Sequence, residues 1–189
     1  GASLAARHRP SVAVLPFQNL SADGGQEFFA DGIVEDIITA LSRFKGFAVI
    51  ARNSSFVYKG RAVDVRQVGR ELGVRYVLEG SVRRGGDRLR VTAQLVDAET
   101  GAHIWARTFD GKVEDVFAFQ DEITASVAGI VYPKIEQAEA ERARRKPPES
   151  LDAYELTLRG IELWRTVREP ENREAVRLLL RALELDPEY

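Results

Sequence analysis

The chain has 189 residues, with 27 Lys+Arg against 29 Asp+Glu, a formal charge of −2, no Cys and no Met. That balance argues against a surface given over to nucleic acid or anionic membrane, which needs a large basic excess, although a local basic patch stays open. The missing Cys excludes disulfides, thiolate nucleophiles, iron–sulfur clusters and Cys-based zinc sites. The start Gly-Ala-Ser-Leu, without an initiator Met, reads as an excised piece of something longer. No apolar run approaches the roughly 18 residues of a membrane span.

Residues 1–10 are polar and basic and read as a linker. Ser11–Phe17 is a nearly continuous apolar run, the signature of a strand buried on both faces. After a turn-rich loop, Phe29, Ile33, Ile37 and Leu41 recur at helical spacing, and Gly46 stops the helix. Phe47–Ala51 is predicted as a second buried strand, which makes a right-handed βαβ unit with parallel strands. Asp64, with Gln67 three residues on, opens another helix as a capping-box-like pair; Val65, Val68 and Leu72 share its face and Gly73 follows its end.

The rhythm then changes to period two. Val74, Tyr76, Leu78, Gly80 and Val82 alternate with Arg75, Val77, Glu79, Ser81 and Arg83. Gly85-Gly86 supplies a hairpin turn, and Leu89, Val91, Ala93 and Leu95 alternate with polar residues on the return strand. A further turn at Asp97–Gly101 leads to a strand over Ala102–Phe109. Residues 113–132 form a helix on Val116, Phe119, Ile123, Val127 and Ile130, which Pro133 kinks or ends. The polar helical stretch after Ile135 reads as a solvated connector, with Pro147–Ser150 as the best domain boundary. Two helical patterns follow, at 151–166 and 172–186. The expected fold class is therefore α/β: a mixed sheet with a parallel βαβ start and an antiparallel meander, helices packed on it, and a C-terminal all-α hairpin. The domains run 11–132 and 151–189, with 133–150 as a helical connector.

Ala175, Leu179, Ala182 and Pro187, with Gly160 in the preceding helix, are spaced like the small and exit positions of a tetratricopeptide repeat. The turn between the helices is about three residues too long for the usual 34, and a plain helical hairpin is the alternative. A single repeat leaves an apolar face open, so further repeats beyond Tyr189 and self-association of the isolated segment are expected.

The pattern from "SVAVLPFQNLS" through "IARNSSFVYKGRAVDVRQVGRELGVRYVLEGSV" to "AHIWARTFD" resembles the TolB amino-terminal-like domain over about residues 11–140. Such domains lie, in rhizobial and related proteobacterial proteins, between an N-terminal class III adenylate/guanylate cyclase domain and C-terminal tetratricopeptide repeats. In related proteins a winged-helix DNA-binding domain replaces the cyclase. The resemblance implies a non-catalytic regulatory module with protein partners. It implies a cytoplasmic location, or a periplasmic one if a membrane span precedes residue 10 in the parent. The cyclase residues belong to a segment not present in this chain.

The chemistry-bearing residues agree with that. Ser54 and Ser55 follow a strand without a Gly-x-Ser-x-Gly elbow, and His103 sits on a hairpin strand. His8 and His103 are 95 positions apart, with no carboxylate cluster, so neither a metal nor any other cofactor is expected. Gly24-Gly25 and Gly85-Gly86 lack phosphate-loop spacing and read as turns. Two binding candidates remain. The crevice beyond the parallel strands gathers Asn19, Arg52, Asn53 and Ser54, with Asp31 near, and suits a small anion or other small ligand. Residue type favours the competing reading, in which Asn53 and Ser54 cap a short helix running to Tyr58 and Arg52 pairs with Asp31 or Asp36. The meander's polar face carries Arg75, Arg83, Arg88 and Arg90, either as a positive stripe for an acidic partner or as a solvated face paired to Glu79. With no aromatics interleaved there, nucleic acid is not the expected partner.

Overall fold

The structure, a computed structural model, describes residues 9–21, 24–146 and 151–187. It divides into a compact unit spanning Pro10–Lys134 and a second containing Ile135 onward. The linker expected before Pro10 falls almost wholly, and the boundary at 147–150 falls entirely, outside the described residues.

The first unit is built on one six-stranded mixed sheet. Its strands are β1 (Ser11–Val14), β2 (Gln18–Asn19), β3 (Ala48–Val49), β4 (Tyr76–Gly85), β5 (Arg88–Asp97) and β6 (His103–Lys112), in the order β3-β1-β4-β5-β6, with β2 also on β4. The pairs β1–β3, β1–β4 and β2–β4 are parallel, and the meander β4–β5–β6 is antiparallel. Against β4, the chain advances from Val14 to Gln18 while its partner advances only from Leu78 to Ser81. The extra residue is absorbed at Leu15-Pro16-Phe17, where Pro16 cannot donate to a ladder, so the expected single strand becomes two.

The alternation in β4 and β5 sorts the sheet's two faces. Leu89, Val91, Ala93 and Leu95 are buried, while Arg88 and Arg90 are exposed and Thr92 and Gln94 half-buried. The hairpin closes through Gly86-Asp87, with φ +63° at Gly86, a conformation open to glycine at little steric cost. At the next turn the Asp97 carboxylate accepts from the amides of Glu99 and Thr100, an Asx turn.

Helix α1 (Glu27–Leu41) buries Phe29, Ile33, Ile37 and Leu41, as its spacing predicts. It packs beside α4 (Val116–Arg145): Phe29 stacks on Phe119 at 6.2 Å, and Gln120 donates to Asp36. Phe119 in turn lies against Gly111 of β6, which places α4 on the Val91 face. The opposite face is covered by α3 (Val65–Leu72), whose Val68 joins Ala13, Leu15, Val77 and Ala98 in a second cluster. Asp64 caps α3 by accepting from Arg66 N, and Gly73 ends it at φ +65°. The capping box does not close, because Gln67 donates to Glu71 instead.

Four other expectations change. The second strand, β3, is two half-exposed to exposed residues at an edge, not a buried strand, since only Ser11 and Val12 pair with it. Of the two outcomes expected at Pro133, a kink or an end, the end is ruled out: helix α4 runs through it. The carbonyl that Pro133 cannot serve belongs to Gly129, and both residues are exposed, so water can take the missing donor's place. Within that helix the buried residue after Val127 is Val131, whereas Ile130 is half-buried. Finally, the stretch after Ile135 is not a solvated connector: Ile135, Glu139 and Ala143 are buried.

In the second unit Ala143 packs with Leu151, Ala153, Leu156, Leu178 and Ala182. Helix α5 (Ala153–Trp164) opens on a complete capping box between Asp152 and Glu155, and Lys146 Nζ lies 2.5 Å from the same Glu155. Helix α6 (Glu169–Leu185) starts three residues earlier than expected, with Pro170 in its first turn, but α5 ends two residues early, so the connecting loop at 165–168 is only one residue shorter than expected. Val167 in that loop holds φ +56°, strained for a β-branched residue. A Cβ on Gly160 would sit 2.8 Å from Leu179, so α5 and α6 touch where the small residue permits it.

Gly80 tests the sheet account. A Cβ there would lie 2.4 Å from the Thr92 carbonyl oxygen and 2.6 Å from the Phe17 ring. Gly80→Val should lower stability by about 1–3 kcal/mol in urea unfolding. Gly85→Ala, which meets nothing within 4 Å, should be nearly neutral.

Candidate functional site

The residues expected at the crevice separate into two places. Arg52, Asn53 and Ser54 lie on a short helix, α2 (Arg52–Ser55), which continues as a 3-10 turn to Tyr58; in chain order it precedes α3. The N-cap is Ala51 and no side chain caps it, so Asn53 and Ser54 are exposed helix residues and not caps. Arg52 stacks over the Phe56 ring at 3.8 Å and reaches Glu35 at 4.0 Å. Its expected partners are taken: Asp31 holds Lys59 at 2.6 Å, and Asp36 accepts from Gln120. Ser55 is buried, with its hydroxyl donating to the Arg52 carbonyl. Ser54 is exposed, and His103 is an exposed residue of the edge strand β6.

Asn19 lies elsewhere, in a cleft of about 590 Å³ on the α3 side of the sheet. The cleft's floor is the polar face of β4 and β5, Glu79, Ser81, Thr92 and Gln94. Its walls are the β1–β2 break, with Leu15 and Pro16, and the loop Lys59–Val63. Arg52, Asn53 and Ser54 do not line it. Glu79 and Gln94 are register partners, and Gln94 Nε2 donates to Glu79 Oε1 at 2.6 Å. Lys59 on the wall is bracketed by Asp31 and by Glu27 at 3.1 Å, which together hold its ammonium above the usual lysine range, the Asp31 hydrogen bond most of all.

The arginine face also resolves. Arg83 and Arg90 are register partners on the Glu79 side, and Arg88 follows opposite Lys112. Asp110 grips Arg90 through two bonds at 2.7 and 3.1 Å, and the guanidinium keeps the Asp110 carboxyl below its ordinary range. Arg75 precedes β4 at the far end of the sheet, with buried Val77 and then Glu79 between it and Arg83. The stripe is therefore three arginines and Lys112, with two charges answered: Arg90 by Asp110, and Lys112 by Glu114 at 3.4 Å. Glu79 pairs with Gln94 and not with arginine. Among the described residues no group of three or more His, Asp or Glu is placed to hold a metal ion. No helix there is long and apolar enough to cross a membrane.

Residues 7–126 match the family model described as HilA/YgeH-like transcriptional regulator, second domain. The chain belongs to this family. As a member, it is also 50% identical over 179 residues to the protein named "Putative adenylate cyclase 3" of Rhizobium meliloti (strain 1021). That match covers 95% of this chain but only 30% of the relative, so the HilA/YgeH-type second domain and the helices after it occupy less than a third of that protein. Among solved structures, the lipoprotein GNA1162 from Neisseria meningitidis is similar at TM-score 0.47 and 19% identity, covering 64% of this chain and 97% of that one. TolB from Acinetobacter baumannii is similar at TM-score 0.43 and 17% identity, covering 65% of this chain and 28% of that one.

One titrating pair borders the cleft. Tyr58 donates to Glu71 at 2.5 Å; that bond, with burial added, raises the phenol above its ordinary value, and the same bond lowers Glu71. A raised native value means that Tyr58's contribution to stability is complete below about pH 10 and lost as pH climbs through the native value. Glu71's contribution is present above the ordinary glutamate value and lost as pH falls through the depressed one. Tyr58→Phe should therefore melt lower than wild type at neutral pH. The gap should narrow above pH 10 and again in acid, as read from melting temperatures across a pH series.

Proposed function

We propose that this chain is a regulatory contact module: a HilA/YgeH-type second domain followed by a tetratricopeptide-like hairpin, within a signalling protein whose effector lies in another segment. The observation that carries this is the coverage. Half identity across 95% of the chain, against 30% of the relative's length, leaves most of a protein named for cyclase activity outside the shared region. The family model's description, meanwhile, names a transcriptional regulator. A module common to proteins named for two different outputs is best read as serving neither chemistry directly, but as taking a partner and passing on that contact.

The hairpin supplies a surface for it. One side of α6 buries Ala175, Leu178 and Ala182, while Val176, Leu180 and Leu183, at successive turns, remain about half exposed. Trp164 at the end of α5 is 64% exposed. An apolar stripe of this kind is what a tetratricopeptide hairpin offers to the next hairpin or to a protein partner. On this reading the hairpin is the first of an array in a cytoplasmic protein, and cAMP formation belongs to the upstream domain.

Sedimentation velocity tests the surface. The chain should self-associate as its concentration rises, and Leu180→Glu should return it to monomer; a monodisperse wild-type monomer at high concentration would contradict the docking role. Incubated with ATP or GTP, the chain should give no cyclic nucleotide, and turnover would overturn the reading.

A further inference from the structure

The floor of the cleft has a composition that the contact role does not use. Glu79 is half-buried and receives one hydrogen bond, from the neutral amide of Gln94. Nearby cations are committed elsewhere: Lys59 to Asp31 and Glu27, and Arg90 to Asp110. Arg61, in the same loop as Lys59, lies over the Tyr58 ring at 5.9 Å. Among the described residues the Ser81 hydroxyl makes no hydrogen bond, and Gln94 uses only its amide nitrogen, so its oxygen is open. The floor therefore presents one unanswered negative charge with three open acceptors: the second Glu79 oxygen, Gln94 Oε1 and Ser81 Oγ. An ammonium has three donors and no acceptor, and a guanidinium five, so either matches a site of this kind; an anion does not.

Size and walls narrow the class. The cleft's other carboxylate, Glu27, is held by Lys59, and one open carboxylate is too few for a calcium or magnesium site, which wants about six oxygens; about 590 Å³ is the room of a small organic molecule. Leu15, Pro16 and Val63 give the walls apolar surface against which carbon can lie. We propose that this cleft binds an organic cation, a primary ammonium or guanidinium on a short apolar body, with Glu79 as its charge partner and Gln94 and Ser81 as acceptors. The site does not depend on the α6 surface, and the two stand or fall separately.

Isothermal titration calorimetry of the 189-residue chain tests it with phenethylamine, with 3-phenylpropanoate as the anionic counterpart, and with acetyl-Gly-Lys-Gly-amide. The amine should bind and the carboxylate should not. Glu79→Gln, which keeps the shape, should weaken the amine roughly 10- to 100-fold, as expected for loss of a charge-assisted hydrogen bond. Asn53→Ala, exposed on α2 and outside the cleft lining, should leave the amine's affinity unchanged. Both variants should keep the wild-type circular dichroism spectrum, and Ser81→Leu, which fills the cleft from another residue, should also abolish binding. A tighter lysine peptide assigns the cation to a protein side chain, and a tighter free amine assigns it to a small metabolite. Equal binding of amine and carboxylate, no binding of any probe, or an amine affinity indifferent to Glu79→Gln would overturn the proposal.

Discussion

Strand β4 is the constraint from which the rest of this molecule follows. It pairs in parallel with β1 and β2 along one edge and antiparallel with β5 along the other, so its backbone is committed on both sides. At its start Tyr76, Val77 and Leu78 are all fully buried, which requires cover on both faces at once. Helices α1 and α4 cover one face and α3 the other, but α3 is only eight residues long. Past Leu78 the α3 face turns polar, and the arginines and the cleft occupy what is left. Glycine at position 80 lets Phe17 close over the helical face where the β1–β2 break brings it in. The same break turns Leu15 and Pro16 into a cleft wall.

Much of this was legible in the residues, for a reason that differs with each element. The β4–β5 hairpin could be read because period-two alternation fixes the faces and glycines mark the turn. The turn, however, is Gly86-Asp87, one residue past the expected Gly85-Gly86, which moves every register partner by two while keeping its face. From the alternation alone, the shared position of Glu79, Ser81, Thr92 and Gln94 on one face was available from the sequence. What was not available was the wall. Nothing local says that Lys59–Val63 returns over that face, since the contact depends on how α3 docks. The partner of Arg52 was misread for the same reason: Asp31, Asp36 and Glu35 are adjacent on α1, and tertiary geometry chooses among them. The stretch after Ile135 misled because its buried positions are Glu139 and Ala143, which stand out in no hydropathy pattern. Small residues permit close helix packing without announcing it.

The two surfaces left open divide the functional account. His103 and Ser54 lie on separate exposed elements, while Asp31, Glu71 and Glu79 are held by lysine, tyrosine and glutamine respectively. What the fold leaves exposed is an apolar helix stripe and an acceptor-lined cleft. A near-neutral total charge conceals local contrast, with Arg83, Arg88 and Lys112 on the same sheet face as Glu79.

The central claim is that β4 holds the Pro10–Lys134 unit together from both edges. Native-state hydrogen exchange measures it amide by amide. The account predicts that Tyr76–Val82 and their β5 partners exchange slowest in this unit, and that Ala48–Val49 and α2 exchange fastest among its regular elements. Exchange of the Tyr76–Val82 amides at the rate of Ala48–Val49 would contradict it.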